Sequence, residues 1–149
     1  MSTQPSSELP IGVFDSGVGG LTVLKAIAEA LPDEDLVYLG DTARLPYGTK
    51  SPASIERYAT QAAAKLGEQG IKLLVVACNT ATCIAVELLR EQLEVPVIAI
   101  EPAIKPAAEL TRSGVIGVMA TPGTISGEKF GELHSHFSRD TRIISQPCP

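Results

Sequence analysis

Cys78, Asn79 and Thr80 are the residues of this chain best suited to chemistry, because they directly follow a continuous apolar run at residues 73–77. Such a run predicts a strand covered on both faces, and residues 80–93 predict a helix. A cysteine at a helix N-terminus experiences the partial positive charge of the helix, which favours the thiolate. Asn79 or Thr80 would cap that helix or offer polar atoms to a ligand. The alternative is that Cys78 is a small buried hydrophobe, the common role of a cysteine at a strand end.

A glycine-rich segment at residues 15–20 follows a short apolar run at residues 11–14. It lacks the third glycine of a dinucleotide-binding fingerprint and the lysine of a P-loop. One interpretation is a tight strand-to-helix turn whose glycines adopt positive φ angles. The other is that its backbone N–H groups bind an anion, such as a substrate carboxylate, at the helix N-terminus. Asp15 itself is better suited to a substrate ammonium group, or to a role as partner of a reacting group.

Strands and helices alternate along the chain with short connections, which predicts right-handed βαβ units. We expect a parallel-sheet, three-layer α/β/α domain over residues 11–149, preceded by a flexible leader at residues 1–10, and a helix over residues 125–137. In open parallel sheets, ligands bind outside the carboxyl ends of the strands. The segments that should meet there are residues 15–20, 41–48, 78–80, 101 and 121–124.

The loop at residues 41–48 combines an acid, a base and a phenol in Asp41, Arg44 and Tyr47. On the ligand edge of the sheet, this combination favours a small polar zwitterion over an apolar ligand. Residues 101–102 and 121–124 are interpreted instead as helix starts, because proline and threonine are common there.

Charge and hydropathy exclude several classes of protein. The 149 residues carry a formal net charge of −5 and no clustered basic run, which argues against nucleic-acid binding. No apolar stretch reaches the roughly 18–20 residues that span a bilayer, and residues 1–10 do not resemble a signal peptide. The three cysteines cannot form a full disulfide framework. We therefore expect a cytoplasmic protein without a nucleic-acid or membrane partner.

The sequence does not predict a metal site. His134 and His136 are two residues apart on a predicted helix, so they cannot share one face well. Cys78 and Cys83 have no second pair of ligands at zinc-site spacing. Cys83 lies one turn further along the helix than Cys78 and is expected to pack in the core.

Three segments closely resemble bacterial glutamate racemases: GVFDSGVGGLT at residues 12–22, GDTARLPYGTK at residues 40–50 and ACNTAT at residues 77–82. The resemblance covers nearly the whole chain after the leader. It implies a cofactor-independent isomerase that interconverts L- and D-glutamate for peptidoglycan synthesis. It also implies that Cys78 is one of two cysteines flanking the substrate Cα. The positions that the resemblance marks as contacting substrate are Asp15, Ser16, Tyr47, Gly48, Asn79 and Thr80.

The implied chemistry suits these residues. Removing a Cα proton from one face and returning it to the other requires two opposed acid/base groups, and a thiolate can act as one. Asp15 would help to deprotonate or orient Cys78, while Asn79 and Thr80 would hold the substrate. Without a cofactor to accept electrons, preorganised hydrogen-bond donors must stabilise the carbanion-like transition state.

In the family, the second catalytic cysteine belongs to a second domain, in a Gly-Cys-Thr-His type of motif that is not found in this sequence. Cys148 resembles a segment that precedes that motif, and Cys83 shares a helix with Cys78, so neither is assigned the opposing role. We therefore expect the first half of the enzyme, and its activity alone and any homo-oligomer stay open. The alternatives are a racemase for aspartate or another small acid, and a non-catalytic fragment that binds a carboxylate or another chain.

Overall fold

A computed structural model describes residues 6–148 of the chain. Of the expected leader, residues 1–5 lie outside the described residues. Ser6–Glu8 form a short 3₁₀ turn, and the carbonyl of Ser7 accepts a 2.8 Å hydrogen bond from Lys72 Nζ. This hydrogen bond therefore links the 3₁₀ turn to Lys72, the residue just before the third strand.

Strands and helices alternate as the sequence predicts. The strands are β1 (Ile11–Asp15), β2 (Leu36–Gly40), β3 (Leu73–Val76), β4 (Val97–Ala99), β5 (Val115–Ala120) and β6 (Arg142–Pro147). The helices are α1 (Leu21–Ala30), α2 (Pro52–Gly67), α3 (Asn79–Gln92), α4 (Ile104–Leu110), α5 (Pro122–Ser126) and α6 (Glu128–Phe137). A further 3₁₀ turn, Tyr47–Thr49, lies between β2 and α2. No helix within residues 6–148 is long and apolar enough to cross a membrane.

Every strand pair among the described residues is parallel, which confirms the predicted α/β class. The strands form two sheets rather than one. Four strands pair in the order β2-β1-β3-β4, and β5 pairs with β6 in a separate two-stranded sheet. The second sheet has its own hydrophobic cluster, in which Ile116 packs with Ile104 of α4, Phe130 of α6 and Cys83 of α3. Because α3 contributes to this cluster, it connects the two sheets.

Strand β3 is buried on both faces, which confirms the prediction from its continuous apolar run. Leu74 and Val76 belong to the core beneath α2 and α3. Val75 and Ala77 belong to the cluster on the opposite face, beneath α1. Side chains alternate across a strand, so every residue of this run is needed to fill one core or the other.

The two faces of the four-stranded sheet are covered unequally. On one face α2 and α3 bury Ile55, Leu66 and Leu89 almost completely. On the other face α1 lies alone, and none of its residues is fully buried. Beside α1, an apolar groove of about 260 Å³ reaches to β4, where Ile98 is 55% exposed.

The predicted single helix over residues 125–137 is wrong, because Gly127 divides it into α5 and α6. Gly127 has extended backbone angles, φ −72° and ψ 148°. A Cβ atom at this position would lie 2.5 Å from Cβ of Cys83. The absence of a side chain at Gly127 therefore allows the junction of α5 and α6 to approach α3 closely.

Candidate active site

The carboxyl ends of β1, β2 and β3 bring three of the predicted segments together. Asp15 is paired in register with Gly40 at the ends of β1 and β2. The N–H of Asp41 donates to the carbonyl of Asp15 over 2.9 Å, and the N–H of Ala77 donates to the carbonyl of Phe14 over 2.7 Å. Cys78 follows directly, so the segments that begin at residues 15, 41 and 78 share one edge of the sheet, as predicted.

Cys78 lies between a strand and a helix, which confirms its predicted position. It is the N-cap of α3, and its Sγ accepts a hydrogen bond of 3.5 Å from the N–H of Ala81. The hydroxyl of Ser16 is 3.2 Å from the same sulfur. Cys78 is only 6% exposed and also contacts the main core. The thiol is therefore buried, with the Ser16 hydroxyl and the N–H of Ala81 within hydrogen-bond distance of its sulfur.

The glycine-rich turn is organised around the carboxylate of Asp15, which is 5% exposed. Asp15 Oδ2 accepts hydrogen bonds from the N–H groups of Gly17 and Gly20, each at 3.0 Å. These two N–H groups are therefore occupied within the turn, so the interpretation that its backbone N–H groups bind a substrate anion fails for both of them. The hydroxyl that contacts the sulfur of Cys78 belongs to Ser16, the residue after Asp15 in the chain.

The prediction of positive φ angles in this turn is also wrong. Within residues 6–148, positive φ angles occur only at Gly70 and Gly114. The reason for glycine at position 20 is close approach, because a Cβ atom there would lie 2.6 Å from Cβ of Asp15. The turn closes tightly over the aspartate side chain rather than adopting a left-handed conformation.

Asp41, Arg44 and Tyr47 bind one another rather than facing a ligand together. Tyr47, which is 1% exposed, donates its hydroxyl to Asp41 Oδ2 over 2.5 Å. Arg44 Nε lies 2.7 Å from the same oxygen, and its guanidinium lies over the ring of Tyr58 at 4.4 Å. Burial, and then the hydrogen bond to Asp41, raise the pKa of Tyr47 far above its ordinary value. Tyr47 is thus a neutral phenol whose proton is committed to Asp41.

Three threonine hydroxyls form a cluster that the sequence interpretation missed. Thr80 Oγ1 lies 3.0 Å from Thr121 Oγ1 and 3.1 Å from Thr124 Oγ1, and the last two are 2.9 Å apart. Thr121 does cap α5 by accepting from the N–H of Thr124, so the interpretation as a helix start is confirmed but incomplete. The signal that could have found the cluster is position, because residues 121–124 follow β5 at the predicted ligand edge.

Gly48 brings the 3₁₀ turn against this cluster. A Cβ atom at Gly48 would lie 2.3 Å from Cβ of Thr121, so only glycine fits. The carbonyl of Gly48 also lies close to Gly123, 3.7 Å from the place of its missing Cβ. The Tyr47–Gly48 turn, the start of α3 and the start of α5 thus meet at one point.

A cavity of about 480 Å³ opens beside the hydroxyl cluster, within the size range of small-molecule sites. Asn79, Thr80, Thr121 and Thr124 contribute its polar groups, and residues of α4 and β5 line the remainder. Of the sequence-predicted site residues, Asn79 and Thr80 line the cavity directly. Asp15, Ser16 and Cys78 lie at the ends of β1 and β3, and Tyr47 and Gly48 lie in the 3₁₀ turn that approaches Thr121.

The other candidate ligands and thiols are placed elsewhere. Among residues 6–148, no group of three His, Cys, Asp or Glu side chains is arranged to hold a metal ion. His134 and His136 contact Phe130 and Phe137, respectively, near the end of α6. Cys83 is 4% exposed, which confirms that it packs in the core, and burial raises its pKa to about 11. Cys83 is therefore a neutral thiol at physiological pH.

A sequence model of the Asp/Glu/Hydantoin racemase family matches residues 11–141. The chain belongs to this family. The glutamate racemase of Stutzerimonas stutzeri (strain A1501) is 56% identical over 141 residues, which are 94% of this chain and 53% of that protein. This racemase-family chain thus spans about half the length of the curated relatives it matches.

Solved structures of glutamate racemases also match nearly all of this chain and about half of their own length. Glutamate racemase from Francisella tularensis in complex with D-glutamate matches with a TM-score of 0.79 and 40% identity, over 95% of this chain and 53% of that chain. Escherichia coli glutamate racemase in complex with L-glutamate and the activator UDP-MurNAc-ala matches with a TM-score of 0.85 and 40% identity, over 93% and 53%.

Proposed function

We propose that this chain carries one half of a glutamate racemase site, in which Cys78 exchanges the Cα proton of glutamate from one face. The observation that carries this proposal is the placement of the Cys78 thiol at the N-cap of α3, 3.2 Å from the Ser16 hydroxyl. The names of the relatives and the glutamate bound in two related structures support the choice of substrate.

The proton-transfer role of Cys78 follows from its surroundings. A thiol accepts a proton from carbon only as the thiolate, so the site must favour the charged form. The Ser16 hydroxyl, the N–H of Ala81 and the N-terminus of α3 all act in that direction. Asp15 is proposed to assist, since its carboxylate binds the turn that carries Ser16.

Substrate binding is assigned to neutral donors. Hydroxyl groups rotate freely, so Thr80, Thr121 and Thr124 can turn their protons from one another to a substrate carboxylate. Asn79 adds an amide at the cavity wall, and Ser16, Tyr47 and Gly48 form the adjoining edge. Donors whose oxygen and nitrogen atoms are held in place by the fold stabilise the negative charge that develops when the Cα proton leaves, without a cofactor.

Racemisation also needs a base on the opposite face of the substrate. Cys83 does not supply it, because it is buried on the same helix as Cys78 with its pKa raised to about 11. The chain alone should therefore exchange the proton without inverting the substrate. With the second half of the site present, the activity would supply D-glutamate for peptidoglycan synthesis in the cytoplasm.

The proposal is tested by incubating the 149-residue chain with L-glutamate and, separately, with D-glutamate in D₂O, because a single base reaches the Cα–H of only one enantiomer. Loss of the Cα–H signal by NMR and the appearance of the opposite enantiomer by chiral chromatography are followed together. We expect exchange of one enantiomer without inversion, abolished in Cys78→Ala and retained in the matched control Cys148→Ala. No exchange of either enantiomer by the unmodified chain, or exchange that persists in Cys78→Ala, would overturn the assignment. Inversion by the chain alone would overturn its one-base part.

A further inference from the structure

Tyr38, in the middle of β2, binds the turn at residues 15–20, which carries Ser16. Its hydroxyl donates to the carbonyl of Gly17 over 2.9 Å. Gly40, at the end of the same strand, approaches the same atom, since a Cβ at Gly40 would lie 2.3 Å from the Gly17 carbonyl oxygen. β2 thus holds one peptide group of the turn by a hydrogen bond and by close packing.

The Gly17 residue is fixed at both ends. Its N–H donates to Asp15 Oδ2 over 3.0 Å, while its carbonyl accepts from Tyr38. Ser16 immediately precedes Gly17, and the Ser16 hydroxyl is the group that lies 3.2 Å from the Cys78 sulfur. A displacement of the Gly17 peptide therefore moves the hydroxyl away from the thiol.

We propose that Tyr38 is a positioning residue, which holds the Ser16 hydroxyl on the Cys78 sulfur through its hydrogen bond to Gly17. This inference deepens the proposed function and rests on it in one respect, namely that Cys78 is the proton carrier. Tyr38 itself touches neither the substrate cavity nor, by any hydrogen bond, the sulfur. Its effect on the thiol passes through residues 16 and 17.

The protonation of the surrounding groups agrees with this role. Burial raises the pKa of Tyr38, and the negative charge of Asp15 raises it further, so the phenol remains a donor while thiols titrate. The titratable groups around Cys78 are Asp15, Tyr38, Tyr47 and Cys83. Tyr47 and Cys83 stay neutral through that range because their pKa values are raised. The Ser16 contact is the one that Tyr38 reaches through Gly17.

The test is the pH–rate profile of Cys78 alkylation by iodoacetamide in the full 149-residue chain. Cys78 and Cys83 occur in one tryptic peptide, residues 73–90, so fragment ions assign the modified sulfur. We expect Tyr38→Phe to slow alkylation of Cys78 at pH 7 by about two- to tenfold, the size of one hydrogen bond. The midpoint of the profile should move to higher pH, because the Ser16 hydroxyl that stabilises the thiolate is no longer held against the sulfur.

A double-mutant cycle separates positioning from a general structural effect. Ser16→Ala should reproduce the loss, and Tyr38→Phe in the Ser16→Ala background should add nothing further. Gly40→Ala, which displaces the same carbonyl by crowding, should change the profile in the same direction and serves if Tyr38→Phe folds poorly. Thr22→Val is the matched control, because the Thr22 hydroxyl donates to Gly19 of the same turn over 2.9 Å and should leave the profile unchanged.

An unchanged profile in both Tyr38→Phe and Gly40→Ala would overturn the inference. The inference would also be overturned if Tyr38→Phe slowed Cys78 alkylation equally in the unmodified chain and in the Ser16→Ala background. Tyr38 would then act on the thiol by another route. Alkylation does not depend on glutamate turnover. Failure of the D₂O exchange experiment alone therefore refutes the proposed function and leaves the positioning result standing, whereas failure of the alkylation cycle alone does the reverse.

Discussion

The buried hydroxyl of Tyr47 donates to the buried carboxylate of Asp41 over 2.5 Å, and Arg44 binds the same oxygen from the other side. Because Tyr47 begins the 3₁₀ turn, this pair fixes the turn against the sheet. This 3₁₀ turn places Gly48 against Thr121. The polar groups of this loop are therefore a support for the site, and their strength can be measured through stability.

Asp41→Asn should lower the free energy of unfolding by about 1–3 kcal/mol, the range for a hydrogen bond to a buried charged group. The asparagine oxygen can still accept from Tyr47 and Arg44 in the place of Oδ2, but the negative charge that pairs with the Arg44 guanidinium is lost. Urea denaturation followed by circular dichroism measures the change. Glu29→Gln is the control, because the Lys25–Glu29 pair is exposed at both ends and should leave the midpoint unchanged. Equal stability of Asp41→Asn and the unmodified chain would contradict this prediction.

Much of the fold could be predicted because local pattern and packing agree. The apolar run of β3 has no polar residue to expose, so burial on both faces was the consistent solution. The change from strand to helix at Cys78 was also readable, because Asn79 and Thr80 end the run. Both the prediction and the structure therefore place three features at one edge of the sheet: Cys78, the turn at residues 15–20 and the loop at residues 41–48.

The features that the sequence did not predict depend on contacts between residues distant in sequence. The threonine cluster joins residues 41 and 44 positions apart, and no local pattern identifies such a partner. Only glycine fits at position 127, where the helix breaks, because Cys83, 44 residues earlier, occupies the space that a side chain would need. Likewise, the glycines of the active-site turn lie close to Asp15, whereas local propensity suggested positive φ angles.

Cys83 should make stability depend on pH in the alkaline range. Burial raises its pKa from an ordinary 9.0 to about 11, so the folded state holds a proton that the unfolded state has released. The stabilisation is complete below pH 9 and is lost as the pH rises from 9 to about 11, by at most about 1.4 kcal/mol per pH unit. Urea midpoints of the unmodified chain and of Cys83→Ala, compared from pH 8 to pH 11, measure this contribution. Parallel decreases in the two proteins would contradict it.

The threonine cluster should matter more for substrate than for folding. Thr124→Val keeps the shape of the side chain but removes one hydroxyl that is proposed to bind a carboxylate. We expect the rate of glutamate Cα–H exchange in D₂O to fall about tenfold or more, as expected for a hydrogen bond to a charged group. Thr111→Val is the control, because its hydroxyl donates to the carbonyl of Val115 away from the cavity. Equal exchange rates in the two variants would remove the cluster from substrate binding.

Gly48 should be irreplaceable by alanine, whereas an exposed helical glycine should not. The added methyl group of Gly48→Ala would lie 2.3 Å from Cβ of Thr121, so the 3₁₀ turn and α5 must separate. We expect a loss of about 1–3 kcal/mol in the free energy of unfolding, the usual cost of overpacking. Thermal and urea unfolding measure this loss, and the exchange assay should show slower turnover because Thr121 is displaced from Thr80.

Gly131→Ala is the matched control, because its added methyl group, on an exposed residue of α6, meets no atom within 4 Å beyond the adjacent residues and the backbone of its own helix. Alanine there should stabilise the chain by about 0.5–1 kcal/mol, the difference in helix propensity. The two substitutions add the same atom, so opposite signs would assign the effect at Gly48 to its contact with Thr121. If both stabilise the protein, then the 3₁₀ turn can move away from α5 at no cost, and the close approach of Gly48 is not what holds the threonine cluster together.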